Sequence, residues 1–131
     1  MHKFTTRVYY EDTDMAGVVY YANYLKFIER ARSTWIEELG IDQKALKAEG
    51  LVFVVRRLTA DYLGAAHYGD HLLVKSAIAK FSRVEIQFDQ QVFEGETCLF
   101  KALVSVVAMN ENGRPTRLPA ALTENLQQKI A

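Results

Sequence analysis

Cysteine, histidine and proline are scarce in this sequence, and long apolar runs are absent. Its 131 residues include one cysteine and three histidines, which excludes an internal disulfide and leaves too few ligands for a Cys/His metal site. The longest purely apolar run, Leu51 to Val55, is far shorter than the roughly 20 residues of a membrane-spanning helix. The N-terminus has no apolar segment of signal-peptide length. We therefore expect a cytoplasmic protein with no metal and no cofactor.

The chain also has no excess of either charge. Its 16 basic and 16 acidic residues cancel, so no overall field attracts nucleic acid or an anionic membrane. A net charge near zero favours self-association. With two prolines and no linker-like segment, residues 1–131 are expected to form a single domain that binds no nucleic acid and assembles as a homodimer or homotetramer.

The apolar residues between Tyr24 and Leu39 recur at steps of three and four. This spacing predicts an amphipathic helix of about 16 residues, with Asn23 as its N-cap and Gly40 just beyond its end. A short helix is predicted from Asp42 to about Gly50. A surface helix is predicted from Pro119 to Ile130.

Elsewhere apolar and polar residues alternate, which is typical of strands. The predicted strands are Phe4–Tyr10, Leu51–Tyr62, His71–Phe81, Arg83–Phe93 and Glu96–Met109. The turns between the last three are too short for crossover helices, so these strands must be antiparallel. An apolar helix among such strands has to be covered by them. We predict an α+β protein of the hot-dog type, with a curved antiparallel sheet wrapped around one long central helix, whose free sheet edges favour pairing with a second copy.

An acidic segment precedes the long helix. Glu11, Asp12 and Asp14 are expected to lie near the unpaired N–H groups at the helix start, where capping alone would account for them. Three features favour chemistry instead. Gly17 permits a tight turn, the following residues are unusually apolar for a surface loop, and Asp14 is expected to lie inside that apolar flank. A carboxylate beside helix N–H donors resembles a nucleophile or base next to an oxyanion site.

Two other interpretations of this segment fail. An EF-hand loop beginning at Asp12 would have Ala16 in place of an oxygen ligand and Asn23 in place of the bidentate glutamate. A phosphoryl-transfer loop would need a parallel sheet, whereas this sequence predicts antiparallel hairpins.

The sequence resembles the 4-hydroxybenzoyl-CoA thioesterase-like hot-dog family. Within that family it is most similar to the Tol-Pal-associated acyl-CoA thioesterases, and the likeness extends over nearly the whole chain. The motifs that carry it include Arg7-Val8, Thr13-Asp14, Gly17-Val18-Val19, Tyr21-Ala22-Asn23-Tyr24, Glu29-Arg30-Ala31-Arg32 and Asp61-Tyr62-Leu63.

This resemblance implies hydrolysis of an acyl-CoA to a free acid and CoA. It places Asp14 at the catalytic carboxylate position, as nucleophile or general base, and the backbone N–H of Tyr21 at the carbonyl of the thioester. Tyr10, Gly17 and Asn23 are the expected supporting residues. The Tol-Pal branch usually has histidine where this chain has Tyr21. Any role that the histidine has in that branch therefore cannot be assigned to this chain. An acyl carrier protein and the Tol-Pal system are the partners that the resemblance suggests.

Two alternatives remain to be weighed against hydrolysis. A non-catalytic module for acyl-CoA or an acyl carrier would bind without turnover. A hot-dog dehydratase would need a histidine near the helix, and the sequence has none between His2 and His67.

Overall fold

A computed structural model describes residues 1–130 as one sheet with three α-helices. In chain order the elements are β1 (His2–Arg7), α1 (Asn23–Glu38), α2 (Gln43–Ala48), β2 (Val52–Tyr62), β3 (His71–Phe81), β4 (Glu85–Glu94), β5 (Thr97–Met109), β6 (Pro115–Thr116) and α3 (Ala120–Ile130). Within the described residues, no helix is both long and apolar enough to cross a membrane.

The sheet has the order β1-β3-β4-β5-β2, and every neighbouring pair is antiparallel. The short β6 pairs with the end of β5. Strands β3, β4 and β5 follow one another through tight turns, so they form the centre of the sheet. Strands β1 and β2 therefore form its two edges, each with one side unpaired in this chain.

The long helix α1 packs mainly against β1, β3 and β4. Its buried residues Phe27, Ile28 and Ala31 join Phe88 and Val92 of β4 in one hydrophobic core. The stripe at steps of three and four is thus the face that meets the sheet, because such residues share one side of a helix. The predicted α+β class, an antiparallel sheet around one long helix, is confirmed.

The two ends of α1 differ in how well the sequence predicts them. Gly40 follows the helix as predicted, with φ 87°, and the N–H of Ile41 donates to the carbonyl of Ile36. A residue in this left-handed conformation is usually glycine. The predicted N-cap is wrong. Asn23 is the first helical residue, Ala22 precedes it, and no side chain caps this end.

The first predicted strand extends too far. Strand β1 ends at Arg7, and Tyr10–Asp12 forms a turn of 3₁₀ helix instead. The cause is local, because the backbone N–H of Tyr9 donates to the carboxylate of Asp12 and bends the chain away from the sheet.

Other boundaries shift by a few residues. Strand β4 begins at Glu85 because the hydroxyl of Ser82 accepts the N–H groups of Val84 and Glu85 in a turn. The two-residue strand β6 was not predicted. Helix α3 buries Leu122 and Leu126 in the core, so one of its faces is part of the interior.

Candidate active site

The acidic segment forms a small hairpin before α1. Thr13 and Val19 form an isolated antiparallel bridge, the N–H of Asp14 donates to the carbonyl of Val18 at 2.9 Å, and the N–H of Gly17 donates to the carbonyl of Asp14 at 3.0 Å. Gly17 has φ 80°, a conformation that costs glycine little and other residues considerably more. Residues 14–17 are therefore the tip of a defined turn.

Asp12 fastens the hairpin to the start of α1. Its carbonyl accepts the N–H of Tyr20 at 2.9 Å and the side-chain amide of Asn23 at 3.0 Å. Its carboxylate accepts the N–H of Tyr9 at 2.9 Å. Both Asp12 and Asn23 are buried, so these bonds are shielded from water. The Asn23 side chain therefore binds the loop and does not cap the helix as predicted.

The carboxylate of Asp14 is on the surface, contrary to the expectation that it lies inside an apolar flank. It occupies the tip of the turn, where its Oδ1 accepts the N–H of Ala16 at 2.9 Å. Within the described part of the chain, neither Asp14 nor the carboxylates of Glu11 and Asp12 accept a hydrogen bond from the N–H groups at the start of α1. The three carboxylates were expected to cap the free N–H groups at the start of α1. Among the described residues they do not.

Tyr21 presents a free backbone donor at the helix start. Its N–H makes no hydrogen bond to any residue from 1 to 130, whereas its carbonyl accepts the hydroxyl of Tyr62 at 3.0 Å. Its side chain is 61% exposed. Tyr62 thus holds the peptide group that follows Tyr21, while the Tyr21 N–H, in the preceding peptide group, remains available to a ligand.

Tyr62 is a residue of this site that sequence reasoning did not single out. It lies at the end of β2, with its ring packed against those of Tyr21, Tyr24 and Phe100. Burial, followed by the neighbouring Tyr21 and Tyr24, raises the pKa of its phenol above the usual 10.0. The hydroxyl therefore keeps its proton at neutral pH and can donate it to the Tyr21 carbonyl.

Tyr24 anchors the other side of the hairpin. Its hydroxyl accepts the N–H of Ala66 at 3.0 Å, and the carbonyl of Ala66 accepts the N–H of Val19 at 2.8 Å. Val18 bridges to His67 in the same segment. Burial raises the pKa of the Tyr24 phenol, so this hydroxyl also stays neutral. Helix, hairpin and the segment before β3 therefore form one connected unit.

The remaining predicted supporting residue is peripheral. Tyr10 lies on the 3₁₀ turn and is 83% exposed. It contacts the loop through its backbone carbonyl, which accepts the hydroxyl of Thr13 at 2.7 Å. The structure therefore brings Asp14, Gly17, Tyr21 and Asn23 into one connected loop, with the Tyr10 side chain directed to the surface. Within residues 1–130, no three His, Cys, Asp or Glu side chains lie close enough to hold a metal ion.

Comparison with known proteins relates the chain to thioesterases. Residues 8–126 match the sequence profile described as the thioesterase-like superfamily. The acyl-CoA thioester hydrolase YbgC of Escherichia coli is 36% identical over 130 residues, covering 98% of this chain and 97% of that protein. The acyl-CoA thioesterase YbgC of Haemophilus influenzae is 42% identical over 108 residues, covering 82% of this chain and 79% of that protein.

The chain belongs to the thioesterase-like superfamily. A crystal structure of a probable thioesterase from Bartonella henselae superposes on this thioesterase with a TM-score of 0.85 at 37% identity, covering 90% of this chain and 98% of that one. A 1,4-dihydroxy-2-naphthoyl-CoA thioesterase from Synechocystis has the same fold. Its TM-score is 0.90 at 22% identity, and the match covers 99% of this chain and 98% of that one. The resemblance and the hot-dog fold are confirmed, and the protein is a thioester hydrolase with acyl-CoA thioesterases as relatives.

Proposed function

We propose that Asp14 and the backbone N–H of Tyr21 together hydrolyse an acyl-CoA thioester. The observation that carries this proposal is the free Tyr21 N–H just before α1, in a residue whose own carbonyl is held by Tyr62. Asp12 and Asn23 tie the Asp14 turn to the same helix start, so the carboxylate and the donor belong to one rigid segment. A fixed donor at the developing oxyanion is among the largest contributions to acyl-transfer catalysis.

In the general-base route, the Asp14 carboxylate takes a proton from water while the water oxygen attacks the thioester carbon. The carbonyl electrons move to oxygen, where the Tyr21 N–H stabilises the charge. As the carbonyl reforms, the C–S bond breaks and the CoA sulfur leaves with a proton. In the nucleophilic route, Asp14 itself attacks the thioester carbon, the C–S bond breaks and the CoA thiolate leaves, which gives a mixed anhydride; water then hydrolyses it to the free acid and the Asp14 carboxylate. Rapid-quench mass spectrometry distinguishes the two routes, because an acyl group on Asp14 appears in the second alone.

The proposal is tested by measuring thiol release from short-chain, long-chain and aromatic acyl-CoAs. Asp14→Asn keeps the shape of the side chain and removes its basicity, so kcat should fall by about 100- to 10,000-fold. Glu11→Gln is the matched control, because Glu11 is an exposed carboxylate three residues away and should keep its activity. Full activity of the Asp14 variant would exclude the mechanism. Tight binding of every acyl-CoA with no turnover would favour the non-catalytic module.

The same proposal includes a second copy of the chain. Strand β2 is a sheet edge whose Val55, Leu58 and Tyr62 side chains are exposed, although all three are apolar or aromatic. An edge with free backbone groups and apolar side chains is suited to pairing with another strand. A second copy placed there would also enclose the exposed Tyr21 and exclude water from the thioester.

Sedimentation velocity tests this assembly. We expect the mass of a homodimer or homotetramer for the wild type and a monomer for the double variant Val55→Lys/Leu58→Lys. Val84→Lys is the control, because Val84 is another exposed valine, which lies in the turn before β4 and not on the β2 edge. A wild-type monomer, or a double variant that still assembles, would contradict pairing at this edge.

The unit of activity is proposed to be the single domain of residues 1–131, which the family match over residues 8–126 supports. A substrate carried on an acyl carrier protein, an association with the Tol-Pal system and a cytoplasmic location stay predictions from the sequence.

A further inference from the structure

A small cavity lies between α1 and β2, away from the Asp14 turn. Its volume is about 200 Å³, and its apolar lining includes Ile36 of α1, Phe53 and Val55 of β2 and Val106 of β5. Whole-ligand pockets are usually larger, about 300–1,000 Å³, so this space suits one end of a ligand. The rest of the lining is polar, and it consists of Glu29, Arg32, Ser33 and Gln43, of which Arg32 is the one cation.

A chain of buried hydrogen bonds fixes Arg32 from behind. Its Nη1 donates to Oε1 of Gln90 at 3.0 Å, and the Gln90 amide nitrogen donates to the carbonyl of Ile28 and the hydroxyl of Ser76, each at 2.9 Å. Gln90 and Ser76 are completely buried. A polar network this deep in a core is satisfied only in one arrangement, so it holds the guanidinium in a defined place.

The guanidinium has hydrogen-bonding capacity left over. It carries five N–H donors, and Gln90 is its one recorded acceptor in the described part of the chain, where it also forms no salt bridge. Among the same residues, Nδ1 of His2 is the single side-chain nitrogen or oxygen that is fully buried without a partner. The unpaired donors of Arg32 are therefore not fully buried, and Arg32 is one of the residues that line the cavity.

The charge at this point is partly balanced. Burial lowers the pKa of the Arg32 guanidinium, and the nearby carboxylate of Glu29 raises it. Glu29 also lines the cavity. Glu29 thus helps to keep Arg32 charged without occupying its donors. A ligand group that accepts hydrogen bonds would complete this site, and either a hydroxyl or a carboxylate supplies such oxygens.

Two contacts between α1 and β2 relate the cavity to the proposed reaction centre. Tyr62 at the end of β2 bonds Tyr21 at the start of α1, whereas Phe53 at the start of β2 lies by Ile36 near the end of α1. The strand and the helix therefore run side by side in opposite directions. Arg32 follows Tyr21 by eleven residues, about 16 Å of helix, and helical side chains lean back toward the N-terminus. A thioester carbonyl at Tyr21 would place the far end of a medium-length acyl chain near Arg32.

We propose that this enzyme prefers acyl groups that carry an oxygen, as hydroxyl or carboxylate, at the end remote from the thioester, and that Arg32 selects them. This inference rests on the proposed function. Arg32 touches the distal end of the chain, so it changes specificity and leaves the chemistry at Asp14 intact. A plain alkyl chain would leave the donors of Arg32 unpaired and desolvated, which is the cost that produces discrimination.

The experiment compares hexanoyl-, octanoyl- and decanoyl-CoA with their ω-hydroxy and ω-carboxy counterparts. For at least one chain length, wild-type kcat/KM should be roughly 10-fold higher for an oxygenated chain, corresponding to one or two hydrogen bonds from a charged donor. In Arg32→Met this preference should disappear through a higher KM for the oxygenated chains, while kcat for the alkyl chains stays within about 2-fold. Equal kcat/KM for all three end groups at every length would overturn the inference.

A second variant keeps the test decisive if Arg32→Met folds poorly. Glu29→Gln removes the carboxylate that opposes an incoming anion, and Glu29 is exposed, so the fold should be unaffected. It should raise kcat/KM for the ω-carboxy chain relative to the ω-hydroxy chain, and no change in that ratio would contradict the placement of the chain end. Failure of this inference differs from failure of the proposed function. In the first case alkyl chains are still hydrolysed in an Asp14-dependent way, and in the second no chain is hydrolysed.

Discussion

The two sides of α1 are both rich in apolar and aromatic residues, yet they are used differently. Toward β3 and β4, residues such as Phe27 and Ile28 are completely covered. Toward β2 and the loop, Tyr21, Val55 and Tyr62 are between 47% and 61% exposed, and a cavity lies between the strand and the helix. The first side buries its apolar area and stabilises the fold. The second leaves apolar and aromatic side chains exposed, and it is the side on which we propose that a substrate and a second copy bind.

The largest expected effect belongs to the covered side. Phe27→Ala removes a ring that is 0% exposed and leaves a cavity, so the free energy of unfolding should fall by about 3–5 kcal/mol. Tyr10→Ala also removes an aromatic ring, but from a site 83% exposed, and should change stability by no more than about 0.5 kcal/mol. Urea denaturation of both variants measures the difference. A similar fall in the free energy of unfolding for both variants would show that burial of the ring does not decide its contribution to stability.

The acidic loop repeats this contrast between two carboxylates. Asp12 is buried and accepts the N–H of Tyr9, so Asp12→Ala should cost about 1–3 kcal/mol in stability. Asp14 accepts one exposed N–H, so Asp14→Ala should cost less than about 1 kcal/mol while abolishing most of the activity. Thermal unfolding and thiol release, measured on the same samples, separate the two roles. A stable, inactive Asp12 variant would reverse the assignment.

Gly17→Ala tests the turn that presents Asp14. With φ 80°, an alanine there should cost about 1–2 kcal/mol through the backbone alone, because an added Cβ would have nothing within 4 Å. Gly113→Ala is the matched control, since Gly113 has φ 72° and equally open surroundings far along the chain. Both variants should lose similar stability, and Gly17→Ala alone should lose activity. Equal loss of activity in both would mean that the Gly17 turn has no special part in catalysis.

Much of the fold could be predicted because it follows from periodicity. Apolar residues recur at steps of three and four from Tyr24 to Leu39, and apolar and polar residues alternate from His71 to Met109. Each pattern repeats several times, so one exception does not change the prediction. Boundaries were less accurate where a single side chain decides them. The Asp12 carboxylate ends β1 by binding the Tyr9 N–H, and the pattern of apolar residues contains no sign of that bond.

The candidate site was predictable at the level of the segment and less so for individual roles. Three acidic residues within four positions look alike in the sequence, and only the fold separates the buried Asp12 from the exposed Asp14. Tyr62 appears in the sequence only as part of the motif Asp61-Tyr62-Leu63, and its contact with the site could not be predicted, because it lies 41 residues from the Tyr21 carbonyl that it binds. A contact at that separation depends on sheet order, which local patterns do not encode.

The smallest expected effect is that of Tyr62→Phe, and it tests the exposed side most directly. The change keeps the ring contacts with Tyr24 and Phe100 and removes one hydrogen bond to the Tyr21 carbonyl. A hydrogen bond of this kind contributes about 0.5–1.5 kcal/mol. If its role is to aim the Tyr21 N–H at the oxyanion, kcat should fall by about 2- to 10-fold with KM nearly unchanged.

Tyr21→Phe is the control for that variant, because the Tyr21 hydroxyl makes no hydrogen bond to the described residues and its backbone N–H is retained. We expect wild-type kcat for it. A reduced kcat in both variants would point to the phenol groups themselves as participants. An unchanged kcat in Tyr62→Phe would mean that the helix alone orients the donor, and β2 would then contribute to binding and assembly without affecting the chemical step.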